Sequence, residues 1–224
     1  MTLDRERVSQ QAPADGADLR RFPARSLRAG ARWHRQHAES TGPWWFSSTG
    51  AGRFDLQEPR GTCYLASSAR AAVRERIGPD FTAHAMVPRS LLQGRVVSAL
   101  PVPHDVRAAN LDAAAAARHG ITRELSVMVP YDVPRAWAAA LDHAAYGGIV
   151  AGLRYSPGGA VGLALFGDAG ERSELPGDPH PIAASTIAAR MGIRLIEAPT
   201  YAQITVTGPP TTAARRGRSS RKSS

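Results

Sequence analysis

Glu75, Arg32, Arg53 and Ser156 are the side chains whose types and settings offer chemistry in this chain, with Phe54 and Tyr64 beside them as possible walls of a site. Glu75 follows the apolar run Thr62–Ala66, on a segment where Ala69, Ala72, Val73 and Ile77 recur at helical spacing. Its carboxylate stands at the border of that stripe, and Ala71 and Ala72 leave room one turn earlier. A carboxylate so placed can stabilise an oxocarbenium-like transition state at a glycosidic bond, hold a sugar hydroxyl or orient a nucleophile. The plainer reading is a solvated helix acid paired with Arg74 or Arg76. Arg32 and Arg53 lie on separate segments, and planar guanidinium groups bind phosphate oxygens bidentately. Two of them could clamp a pyrophosphate. Lys222 is the only lysine, so arginine is a compositional habit here and ordinary ion pairing competes with that role. Phe54 can stack on a ligand ring or fill core. Tyr64 can line a pocket floor or pack within a strand. Ser156, just before Pro157, can hydrogen-bond an amide or a phosphate, or simply close a turn.

Other chemistries are disfavoured by context. Gly50-Ala51-Gly52 opens like a dinucleotide fingerprint, but Asp55 stands where the third glycine belongs, and no strand leads into it. There is no phosphate-binding Walker loop and no HExxH. His34 and His37 have no third ligand at metal spacing, so no metal is expected. Cys63, the only cysteine, falls in a buried strand and reads as inert packing.

The elements that must position these residues follow from periodicity and punctuation. Strands are expected at Thr62–Ala66, Arg95–Leu100, Leu125–Val129, Ile149–Tyr155, Val161–Phe166, Ile193–Ile196 and Ala202–Val206, and Arg32–His37 could form a strand end or a short turn. Helices are expected after Ser67-Ser68, ending at Gly78-Pro79, then over the alanine-rich Val106–Arg118, from Pro134 to Gly147, and at Ala183–Met191. Trp44-Trp45-Phe46 reads as an aromatic core cluster. The regular βαβ alternation of a doubly wound sheet is missing, so the fold class is α+β in a single domain. Residues 1–29 read as a polar, partly disordered leader, 30–208 as the folded body and 209–224 as a disordered basic tail.

The chain has 224 residues, 43 % hydrophobic, and a net charge of +9, more than half of it on Arg215, Arg216, Arg218, Arg221 and Lys222. A Ser/Arg/Gly tail of this kind is solubilising or makes weak nucleic-acid contact. No run approaches the ~20 apolar residues of a membrane span, and the first 25 residues lack an apolar signal core. A soluble, cytoplasmic protein is the expectation.

Taken together, Arg32-Trp33-His34, Gly52-Arg53-Phe54, Tyr64-Leu65-Ala66, Glu75 and Gly152-Leu153-Arg154-Tyr155-Ser156 resemble, in order and spacing, the RES domain. That family degrades NAD and is often encoded as a toxin beside an antitoxin. The resemblance implies a fold similar to ADP-ribosyltransferase toxins, with a split β core and flanking helices. It implies Arg32 on the NAD phosphates, Glu75 as the catalytic acid, Arg53 assisting binding, Phe54 in the stacking place and Ser156 as the family serine. Tyr64 would line the NAD site. NAD would be substrate rather than cofactor, with inorganic phosphate as co-substrate yielding ADP-ribose-1-phosphate. ADP-ribosyl transfer to a protein or nucleic acid is the alternative acceptor. A cognate antitoxin would be the partner. A non-catalytic nucleic-acid-binding module built on the tail is the rival from another class.

Overall fold

The computed structural model describes residues 10–84 and 86–197. Its centre is an eight-stranded sheet in the order β1 (Ala24–Leu27), β7 (Val106–Asn110), β8 (Gly148–Gly152), β9 (Val161–Asp168), β4 (Arg60–Ala66), β2 (Arg32–Ala38), β6 (Arg95–Pro101) and β11 (Ile182–Ala183). All neighbours are antiparallel except β7 and β8. Two short pairs, β3 (Trp45–Phe46) with β10 (Gly170–Glu171) and β5 (Val87–Pro88) with β12 (Leu195–Ile196), and, among the described residues, three α-helices complete the α+β domain: α1 (Ala69–His84), α2 (Asp132–His143) and α3 (Ala184–Arg190).

The sheet is divided near its middle. β4 pairs with β9 along its whole length, and β2 likewise with β6. Between β2 and β4 the register holds a single pair, His34 with Ala66. The edge of β4 that β2 leaves free is taken by the segment after β3 (Trp45–Phe46), where Ser47 and Thr62 exchange both backbone hydrogen bonds. The Arg35 guanidinium reaches across the gap to the Trp45 carbonyl and to Cys63 Sγ. The wedge satisfies backbone groups that the divergence would otherwise strand.

Core packing follows the pleat. Trp33, Cys63, Leu65, Leu100, Val150 and Leu163 pack on one face. The opposite face carries two separate clusters. One surrounds α2 and includes Trp137, Leu141 and Ile149; the other surrounds α1 and α3 and includes Val73, Ile77 and Ala188. The gap between these two clusters lies above the divergence of β2 and β4.

Several elements differ from the sequence-based expectation. Residues 10–29 are not a leader: β1 pairs with β7, and Leu19 and Phe22 are buried beside Trp137 and Tyr146. Val106–Arg118 is not a helix but β7 followed by a 3-10 turn, Ala114–His119. Ala108 and Ala109 are fully buried between β1 and β8, so strand pairing overrides alanine's helix propensity. Leu125–Val129 is not a strand: Leu125 and Ser126 belong to a 3-10 turn, Arg123–Ser126, and Val127 and Val129 are exposed. α1 continues past Gly78-Pro79 to His84, held by packing on β2, β6 and α3. Trp45 is exposed, whereas Trp44 and Phe46 are core. The expected strand at Ala202–Val206 and the basic tail lie outside the described residues.

Candidate functional site

The gap on the helical face is a cleft of about 530 Å³, within the roughly 300–1,000 Å³ of small-molecule sites. Its floor comes from β2, β4, β8 and β9. One wall is α1, through Ala72, Glu75, Arg76 and Pro79; the other is the 51–54 turn with Tyr131.

Glu75 is held from the strand end after β8. Its Oε1 accepts from the Tyr155 amide at 2.9 Å and from Ser156 Oγ at 2.9 Å. Ser156 is buried, and Arg74 Nε binds the Tyr155 carbonyl, so the segment is gripped by two consecutive α1 residues. The Tyr155 ring lies where a side chain on Gly78 would be, 2.1 Å from the position of a Cβ there. Glycine at 78 therefore serves close packing rather than helix termination. Among the described residues no ion pair joins Glu75 to Arg74 or Arg76. Both hydrogen bonds go to Oε1, and Glu75 is among the residues that line the cleft.

Arg53 enters from the opposite wall. Its guanidinium donates to the Met128 carbonyl and lies 4.8 Å from the Tyr131 ring centroid. Burial pulls its pKa below the ordinary arginine value; Tyr131 opposes this, Arg154 adds to it, and Glu75 lies within electrostatic reach. The turn carrying Arg53 is fixed by a buried carboxylate. Asp55 accepts from Ser47 Oγ at 2.9 Å, from the Gly52 amide at 3.0 Å and from Tyr64 Oη at 2.8 Å. Tyr64 Oη in turn accepts from the Phe54 amide at 2.8 Å. Burial, then the neighbouring Asp55 charge, pushes the Tyr64 phenol far above its usual range and keeps it protonated as a donor. A Cβ on Gly52 would fall 2.2 Å from Asp55 Oδ1, so this turn demands glycine. Phe54 borders the cleft while packing in the α2 core, with only 6 % of its surface exposed.

Arg32 is placed differently. It is exposed at the start of β2, and the cleft is lined instead by His34, Arg35 and Gln36 further along the strand. Alternation puts Arg32 on the same face as His34 and Gln36, where its charge reaches Asp178. The structure thus brings Glu75, Arg53, Phe54 and Tyr64 around one cleft, sets buried Ser156 behind Glu75, and leaves Arg32 outside the cleft lining. Burial lowers the His34 pKa, outweighing the Ala66 backbone hydrogen bond that favours the charged ring. His34 Nδ1 and both polar atoms of Gln36 are buried without a hydrogen-bond partner among the described residues. Leaving such groups unpaired costs ~1–3 kcal/mol each.

The sequence reading missed Gln36, Asp55, Tyr131 and Arg154. Period-two alternation from His34 points to Gln36; Asp55 could have been found as the lone acid in an apolar turn. Nothing in the sequence around Tyr131 marks it. Among the described residues no group of three or more His, Cys, Asp or Glu could hold a metal ion, and no helix is long and apolar enough to cross a membrane. Cys63 is fully buried, and burial raises its thiol pKa despite nearby Arg35.

Fold and cleft define a single α+β domain whose divided sheet carries a cleft of small-molecule size between α1 and the 51–54 turn. The RES domain family's sequence model matches residues 20–184. The chain belongs to the RES domain family. Comparison with curated proteins gives no match. A chain of the M. tuberculosis MbcT–MbcA toxin–antitoxin complex, known from its crystal structure, is similar in fold. Its TM-score is 0.53 and its identity 16 %, over 75 % of this chain and 91 % of that one.

Proposed function

We propose that this chain cleaves the nicotinamide–ribose bond of NAD, with inorganic phosphate as acceptor, and that it acts as the toxin of a toxin–antitoxin pair. The observation that carries this reading is the Glu75 carboxylate, fixed by Ser156 and Tyr155 and facing the same 530 Å³ cleft as Arg53. Membership of the RES domain family supports it, as does likeness in fold to a chain from a toxin–antitoxin complex.

In the proposed reaction nicotinamide leaves C1′ as a neutral base, taking the bonding electron pair. The cationic sugar develops opposite the anionic Glu75, which stabilises it. A phosphate oxygen then forms the new C1′–O bond, giving ADP-ribose-1-phosphate with no change of oxidation state. Ser156 and the Tyr155 amide keep the carboxylate in one orientation. Arg53, with Arg76 and Arg154, supplies positive charge for the pyrophosphate and the incoming phosphate.

The test is incubation of the full chain with NAD, with and without phosphate. Phosphate-dependent release of nicotinamide together with ADP-ribose-1-phosphate is the expected result. ADP-ribose attached to a macromolecule would instead make the chain a transferase, and no nicotinamide from folded protein would refute NAD cleavage. Growth arrest on expression, relieved by the product of a neighbouring gene, tests the toxin role.

A further inference from the structure

The cleft floor contains polar atoms that the proposed chemistry does not use. Gln36 Nε2, Gln36 Oε1 and His34 Nδ1 are buried without a hydrogen-bond partner among the described residues, and both residues line the cleft. They share one face of β2, two residues apart. Ala66 engages the His34 ring through its backbone, and burial favours the neutral ring. In the neutral tautomer that carries its proton on Nε2, Nδ1 is an acceptor. The floor therefore presents two acceptors and one donor. The complement is a planar ligand group with two N–H donors beside one acceptor.

Resting on the NAD reading above, we propose that Gln36, with His34 Nδ1 beside it, is the specificity-determining residue that reads an amide-type edge of the dinucleotide. NAD carries two such edges: the nicotinamide carboxamide and the 6-amino side of adenine. A glutamine side chain pairs with either through parallel hydrogen bonds. A site built to hydrogen-bond an N–H group discriminates sharply against an analogue lacking it, because its own buried groups are then left unpaired.

Calorimetric titration of the full chain with NAD, nicotinic acid adenine dinucleotide and nicotinamide hypoxanthine dinucleotide tests this. Each analogue alters one edge only. Wild type is expected to disfavour one of them, and Gln36→Leu is expected to weaken NAD binding about 10- to 100-fold and abolish that discrimination. The analogue affected identifies which edge is read. The Gln36→Leu unfolding midpoint is expected to equal or exceed that of wild type, because the variant removes unpaired buried atoms. If the midpoint falls, Gln36→Glu, which keeps the shape and loses the donor, carries the same affinity comparison. Unchanged NAD affinity and discrimination in the variant overturn this inference alone. A folded wild type that does not bind NAD overturns the NAD reading and the inference with it.

Discussion

Tyr64→Phe isolates the polar brace behind Arg53. The ring remains to pack against the α2 core, and only the hydroxyl is lost. That hydroxyl donates to Asp55 Oδ1 at 2.8 Å and accepts from the Phe54 amide at 2.8 Å. The first bond is to a buried carboxylate, worth ~1.5–3 kcal/mol, and the second leaves a buried amide unpaired at ~1–3 kcal/mol. The two share one atom and do not add fully, so the expected loss is about 3 kcal/mol. For a domain of this size that lowers the melting temperature by roughly 6–12 °C. Urea unfolding of both proteins measures it. A double-mutant cycle with Asp55→Asn should show that the two substitutions overlap rather than sum. The same loosening should raise the KM for NAD more than it lowers kcat, because it frees the turn carrying Arg53. A loss below about 0.5 kcal/mol would refute the brace as the element that fixes this wall.

Other consequences are equally direct. Gly78→Ala puts a methyl group into the Tyr155 ring, which should pull Ser156 from Glu75 and cut turnover at least ~10-fold, seen by steady-state kinetics with circular dichroism unchanged. Pro79→Ala restores an intrahelical N–H within α1 and should stabilise the protein by ~1–3 kcal/mol in urea unfolding. His34 has a folded-state pKa depressed by burial below its ordinary value of 6.5. The unfolded chain therefore binds the extra proton first. The stability gained from a neutral His34 is present above that value and declines as pH falls through it. Urea midpoints should drop more steeply below pH ~6.5 in wild type than in His34→Gln.

Much of the fold was legible where periodicity and tertiary packing agree. β4, β6, β9 and α2 lie close to where alternation and helical spacing put them, while Arg32–His37, read as a strand end or a short turn, belongs to the full strand β2. Reading failed where packing overrode local preference: at Ala108 and Ala109, whose burial between strands outweighs helix propensity, and at Gly78-Pro79, where tertiary contacts carry the helix onward. Glu75, Arg53 and Ser156 were singled out by their places in the RES-like order of motifs, since residue type alone favoured a solvated acid, an ion-paired arginine and a turn serine. Arg32 was chosen on the same ground, yet strand position, which sequence spacing does not convey across the divided sheet, puts it outside the cleft. Gln36 and Asp55 carried only weak local signals: Asp55 meets Ser47, Gly52 and Tyr64 only once the turn has folded, and Gln36 has no hydrogen-bond partner among the described residues.

The most direct measurement is nicotinamide release from NAD by wild type and by Glu75→Gln, a substitution that keeps the shape and removes the charge. Wild type should release nicotinamide, and the variant should be at least ~100-fold slower while still folded and still binding NAD. Equal rates in the two proteins would contradict the role of that carboxylate and the account built on it.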